Sequence, residues 1–217
     1  MRVLLTLLTL LIFTISWGQE TKKRTFENES PPYKETYYVL KDNQEIKHGD
    51  YKKSYRNFSV KGQFDNGKKV GVWEFTGNDG QVEQKIDFTN NKVTNIKPAD
   101  LSEGYWIKDG DIYKEIKPDE PPVFIGGKSW FYYYSWTLLR YPADGRRNGI
   151  QGKVYISATI TKDGRMIDEK VEEGPGYGLN EEALRVFQQI PDEWIPAKIN
   201  GETVDIRIVI PVTFKLG

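Results

Sequence analysis

Cysteine is absent from the 217 residues, and histidine occurs once. With no cysteine there are no disulfides, thiolate nucleophiles, Cys-based zinc sites or lipidated N-terminal Cys. Net charge is also missing, since Lys+Arg and Asp+Glu stand at 31 each. That balance removes the usual electrostatic case for nucleic acid or an anionic membrane surface as partner. A long hydrophobic run is lacking too. The best candidate, Val3 to Ile15, is broken by Thr6, Thr9 and Thr14, and it falls short of the about 20 apolar residues that a spanning helix needs.

The short run has the makings of an export signal. Arg2 supplies a minimal positive start, and Ser16-Trp17-Gly18 places small residues at −3 and −1 before Gln19. Residues 1–18 are therefore expected to be a signal peptide, which makes the mature protein periplasmic. The rival reading is an uncleaved anchor with Trp17 at the interface, which would hold the protein at the inner membrane facing the periplasm.

Beyond the signal, residues 19–35 are polar, contain Pro31-Pro32 and read as a flexible leader. Residues 36–117 read as an all-β module, because short aromatic-rich runs alternate with turn signals such as Asp65-Asn66-Gly67 and Asn78-Asp79-Gly80. An internal repeat shows through. Lys47-His48-Gly49-Asp50-Tyr51 matches Lys69-Val70-Gly71-Val72-Trp73, and Phe64-Asp65-Asn66-Gly67-Lys68 matches Phe88-Thr89-Asn90-Asn91-Lys92. Each unit reads as a hairpin whose glycine permits a turn and whose aromatic covers its neighbour. The stretch 61–75, KGQFDNGKKVGVWEF, resembles MORN-type hairpin repeats, which implies a β-meander and assigns no chemistry. Tyr105-Trp106-Ile107 and Ile112-Tyr113 read as one more hairpin of this module. Residues 118–128, with Pro118, Pro121 and Pro122, read as a linker.

Residues 129–217 carry the clearest pattern. Ser129 to Arg140 is an aromatic-rich helix that stops before Tyr141-Pro142. Ile150, Gly152, Val154, Ile156, Ala158 and Ile160 alternate with polar residues, as a half-buried strand requires. Lys162-Asp163-Gly164-Arg165 turns the chain into a second strand that ends at Glu173. Asn180 is placed to cap a helix with Glu181 and Glu182 in its first turn, and Leu179, Ala183, Val186, Phe187 and Ile190 form its apolar face. A last strand spans 203–214. The fold class is thus α+β, a two-layer helix-strand-strand-helix-strand domain with a three-stranded sheet of antiparallel or mixed sense. In the expected sheet 150–160 is central and 203–214 forms an edge, where Pro211 is tolerated.

Several separated motifs in this region occur together: Tyr141-Pro142, Gly149-x-x-Gly152-x-Val154, Asp163-Gly164, Glu182-Ala183, Trp194-x-Pro196 and Pro211-x-x-Phe214. With PPVFIGG at 121–127 leading in, the region resembles the C-terminal domain of TonB proteins, especially the form common in Bacteroidetes. The likeness covers under half of the chain. It implies a periplasmic domain that adds a sheet strand to the TonB-box peptide of an outer-membrane receptor, in association with energised transmembrane transport. The free N–H and C=O groups of an exposed edge are the physical device for this. The candidate partner-binding residues are therefore Val204, Asp205, Ile206, Arg207, Ile208, Val209 and Ile210. Partners are a TonB-dependent receptor or another envelope protein. The alternative is an envelope interaction protein that binds through its hairpin repeats and self-associates, as a homodimer, through the C-terminal domain.

No catalytic residue, metal ligand or cofactor is assigned, and the chain is not read as an enzyme. His48 lies in a Lys-His-Gly-Asp stretch without a nucleophile pattern and reads as an exposed turn residue. Glu172-Glu173 and Asp192-Glu193 read as solvated surface. The aromatic run from Trp130 to Trp136 reads as helix packing on the sheet.

Overall fold

The computed structural model describes residues 19–29, 32–90, 92–96 and 101–216. The expected signal peptide at 1–18 lies outside the described residues. Among those described, no helix is long and apolar enough to cross a membrane.

The first half is a single seven-stranded antiparallel meander. Its strands β1 (Thr21–Glu29), β2 (Pro32–Leu40), β3 (Lys47–Tyr55), β4 (Phe58–Asp65), β5 (Lys68–Thr76), β6 (Val82–Asp87) and β7 (Lys92–Ile96) lie side by side in chain order. The stretch expected as a flexible leader is instead strand: β1 pairs with β2 from Thr21↔Leu40 to Glu29↔Pro32. Its residues are mostly exposed, so no alternation of apolar residues marks it in the sequence. Main-chain pairing to β2 supplies the order that composition does not.

The repeated aromatics build the core of this sheet. Tyr51, Phe64, Trp73 and Phe88 form a chain of ring contacts, with centroids 5.1–5.8 Å apart for Phe64–Trp73 and Trp73–Phe88, and 5.2 Å for Tyr51–Trp73. Gly62 makes room for the largest ring, because a Cβ there would lie 2.3 Å from Trp73 Cδ2. The indole N–H donates to the carbonyls of Gln63 and Val70. His48 is half-buried at the start of β3 and not in an exposed turn. Its Nδ1 accepts the Asn66 N–H at 3.3 Å and lies 3.3 Å from Asp65.

The second half holds β8 (Tyr105–Asp109), β9 (Ile112–Glu115), β10 (Val123–Phe124), α1 (Gly127–Leu138), α2 (Ala143–Arg147), β11 (Gly152–Ile160), β12 (Met166–Glu173), α3 (Leu179–Phe187), β13 (Trp194–Ile195), β14 (Ala197–Ile199), β15 (Glu202–Val204) and β16 (Ile206–Phe214). Its main sheet has five strands in the order β12-β11-β16-β8-β9, every pair antiparallel. This corrects the expected three-stranded sheet: the 105–115 hairpin joins this sheet and not the meander.

Alternation places Val154, Ile156, Ala158 and Ile160 of β11, with Ile206, Ile208, Ile210 and Phe214 of β16, on one face, each at most 1% exposed. Onto that face packs α3, presenting Leu179, Ala183, Val186 and Phe187, all buried as its periodicity predicts. The residue capping α3 is Gly178 in the left-handed region. Asn180 lies inside the first turn, and its side chain accepts the Gly176 N–H.

Helix α1, expected to pack on the sheet, packs instead against α3, β10 and the meander strand β6. Trp130, Phe131 and Tyr133 are buried between the two halves, where Tyr133 meets Tyr55 and Phe58 of the meander and Phe131 meets Phe187 of α3. Buried Gln84 of β6 accepts the Gly126 N–H at 2.7 Å and donates to the Phe124 carbonyl at 3.1 Å. Glu83 accepts from both the N–H and the Oγ of Ser129, at 3.0 and 2.6 Å. Meander and C-terminal residues thus share one hydrophobic core. Residues 118–128 are part of it, with Pro118 and Pro122 buried and β10 paired to β13. The proline-rich stretch is packed structure and not a loose linker, since a fixed φ suits a chain threaded between two sheets.

Candidate functional site

The segment expected to be a single strand at 203–214 is broken at Asp205. Val204 belongs to β15 and pairs with Ala197, while the Asp205 carboxylate accepts the Lys162 N–H at 2.7 Å and fixes the turn between β11 and β12. From Ile206 onward β16 pairs with β11 along its whole length, from Ile160↔Ile206 to Gly152↔Phe214.

The other side of β16 is not an open edge. Here Arg207 pairs with Trp106 and Ile208 with Tyr105. The Val209 carbonyl accepts the Glu103 N–H at 2.8 Å, and the Val209 N–H donates to Ser102 Oγ at 3.0 Å. The strand placed at the sheet edge by sequence is therefore the middle strand of five. The reason is a contact of long sequence separation: the 105–115 hairpin lies a hundred residues before β16 in the numbering, and strand periodicity says nothing about which distant strand will pair. Pro211 fits this arrangement. Its partner on the β11 side is Tyr155, and the β8 ladder has ended by then, so its missing N–H removes no ladder bond.

Of the seven candidate residues, Ile206, Ile208 and Ile210 send their side chains into the core. Arg207 and Val209 alternate with them toward the opposite face. Arg207 ties that face together. Its guanidinium lies 2.6 Å from Glu172 Oε1 on β12, 4.9 Å from the Tyr113 ring centroid and 5.7 Å from that of Trp106. Glu172 Oε1 also accepts Ser157 Oγ at 2.6 Å, and Lys170 stands 3.2 Å away. Burial pushes the Glu172 carboxyl up, but the hydrogen bonds from Ser157, Arg207 and Lys170 outweigh it and hold the group at about 2. The carboxylate read as idle surface is the counter-ion of this network. Its partner is in a different strand far along the chain, which sequence alone does not disclose.

Glu193 has a similar role at the junction of the halves, 2.7 Å from Lys69 of β5. Asp192 accepts the Met166 N–H. Near Lys69 lies a cavity of ≈ 270 Å³ between the meander and the C-terminal half, lined by Lys47, Lys53, Tyr51, Trp130 and Tyr134 among others. Burial lowers the Lys53 ammonium, against the pull of Glu35. Lys53 sits 4.2 Å from the Tyr33 centroid. Burial pushes the Tyr134 hydroxyl up to about 12, so it stays a neutral donor and is no base. Among the described residues no group of three or more His, Asp and Glu could hold a metal ion.

The motif residues build the scaffold of the domain. Tyr141 donates its hydroxyl to the Ile150 carbonyl and meets Phe214 edge-on at 5.7 Å. Pro142 packs against Gly178, where an added Cβ would come within 3.0 Å of it. Gly149 and Gly152 take positive φ of 64° and 146° around the entry to β11, and Val154 is fully buried. Gly164 turns with φ 77°, and a Cβ there would stand 2.2 Å from the Trp194 carbonyl oxygen and 3.8 Å from Pro196. The Asp163-Gly164 and Trp194-x-Pro196 motifs are thus two sides of one contact, closed by the Trp194 N–H donating to the Gly164 carbonyl.

No curated protein and no solved structure matches the chain. Residues 137–216, from the last turn of α1 to two residues past β16, match the family described as Gram-negative bacterial TonB protein C-terminal.

Proposed function

We propose that this is an exported, periplasmic TonB-like protein that binds an extended segment of an outer-membrane receptor, or of another envelope protein, by β-strand addition at β16, in support of energised transport. Three observations support the reading: the family match over 137–216, the short apolar run at Val3–Ile15 ahead of a small-residue pair, and the strand pairing on the side of β16 away from β11. The last carries it. The outer side of β16 already takes an added strand, through backbone pairs at Arg207 and Ile208. Main-chain bonds supply affinity in such a site, and alternate side chains set register.

The first half is packed onto the binding domain through a shared core, and its MORN-type likeness assigns it no separate chemistry. A second reading keeps the C-terminal sheet for self-association. It is favoured by the two outer strands of that sheet, β12 and β9, each of which has a strand neighbour on one side only among the described residues. Titration of the full chain with a TonB-box peptide, followed by amide shifts, separates the two. Shifts at Arg207 and Val209 in a monomer are expected. A stable dimer with no response at β16 favours the second reading.

A further inference from the structure

The strand that covers β16 is attached unlike the other strands of its sheet. β11 holds β16 over nine residues, whereas β8 holds it at two, Trp106↔Arg207 and Tyr105↔Ile208. At Val209 the ladder is completed by a side chain, Ser102 Oγ, in the place of a backbone carbonyl. Behind β8 stands β9, whose four residues are all exposed, with Ile112 60% and Tyr113 45% accessible. The outer strand of the hairpin thus gains little from apolar burial, while Leu101, Tyr105 and Ile107 are partly buried against the core. Its covalent link adds to these contacts an effective concentration of about millimolar for a short tether.

We propose that Leu101–Glu115 is a built-in stand-in for the partner strand: it occupies the β16 edge in cis, and an incoming segment binds by taking its place. This rests on the strand-addition reading and adds to it a regulation and a partner chemistry. The stand-in specifies that chemistry. Arg207, steered by Glu172, lies beneath the rings of Trp106 and Tyr113, so the partner segment carries an aromatic residue opposite Arg207. A backbone carbonyl from the partner replaces Ser102 Oγ on the Val209 N–H and completes the ladder. Pro211, with no N–H to offer, ends the usable edge. The site therefore takes a short segment, paired at about three residues of β16.

The test uses two full-length variants: one with 105–115 replaced by a Gly/Ser linker of equal length, and Trp106→Ala. The probe is a fluorescent synthetic peptide of the protein's own residues 101–116. A TonB-box peptide is run beside it. Exchange predicts that the linker variant, shown folded by circular dichroism, binds the 101–116 peptide at least ~10-fold tighter than the unaltered chain. Trp106→Ala should fall between them, and amide shifts should centre on Arg207 and Val209. Equal binding by all three, or none by the folded linker variant, overturns the proposal. Should the linker variant not fold, Trp106→Ala decides: peptide binding no tighter than that of the unaltered chain overturns it. A TonB-box peptide that binds the unaltered chain and the variants equally sinks exchange and leaves strand addition standing. A 101–116 peptide that binds the linker variant while the TonB-box peptide binds nothing sinks the receptor reading and leaves exchange standing.

Discussion

Arg207 of the middle strand and Glu172 of the outer strand β12 meet at 2.6 Å, spanning β11 between them. The pair locks one face of the sheet and aims a guanidinium at the hairpin on the other side. Glu172 has its carboxyl held at about 2, against an ordinary 4.5. The unfolded chain thus takes up this proton at a higher pH than the folded chain does. The stabilisation is complete above about pH 4.5 and is lost as pH falls from there toward 2. Glu172 is about a third exposed, so solvent screening discounts the effect to roughly 1 kcal/mol. Urea denaturation of Glu172→Gln at pH 7 should show that loss, and the variant should lose stability less steeply than the parent between pH 4.5 and 3.

Gly62 is where the meander is most sensitive to one added methyl. A side chain there meets the Trp73 ring at 2.3 Å, so Gly62→Ala should cost about 1–3 kcal/mol by overpacking. Trp73→Ala, which empties the column of rings, should cost about 3–5 kcal/mol. Thermal melts followed by circular dichroism check both. A neutral Gly62→Ala would mean that Trp73 has another place to sit.

Gln84 joins the two halves through two buried backbone partners, Phe124 O and Gly126 N. Gln84→Leu leaves both without a bond and should destabilise the protein by about 1–3 kcal/mol for each. Because the halves share a core, the parent should unfold in a single transition. Tryptophan fluorescence and circular dichroism should give the same midpoint, and two separated transitions would refute the shared core.

The N-terminus has its own test. Cleavage after Gly18 predicts Gln19 as the first residue of the exported protein in N-terminal sequencing. Retention of Met1 in a membrane fraction would instead make the protein an anchored one.

Much of the C-terminal fold could be read from local pattern. Alternation from Ile150 to Ile160 and the apolar stripe from Leu179 to Ile190 each encode a face, and each face is buried as its period requires. Turn chemistry likewise marked the β4–β5 and β5–β6 hairpins of the meander. What escaped was pairing over distance. β1 is polar and mostly exposed, so only its backbone partner reveals it. Trp106 and Tyr113 look like one more meander hairpin until Arg207 is brought beside them. Glu172 and Glu193 look solvated until Arg207 and Lys69 arrive from other elements. The strand expected at the edge is the middle one of five, because the hairpin that covers it comes from a hundred residues earlier.

The absence of cysteine makes the central claim directly measurable. Single cysteines placed at Val209 on β16, Lys170 on β12 and Tyr113 on β9 each label one strand of the sheet. Each is offered a TonB-box peptide carrying one cysteine under oxidising conditions. Strand addition at β16 predicts a disulfide-linked product with Val209→Cys, and little with Lys170→Cys or Tyr113→Cys. Cross-linking confined to either outer strand, with none at Val209→Cys, would contradict it.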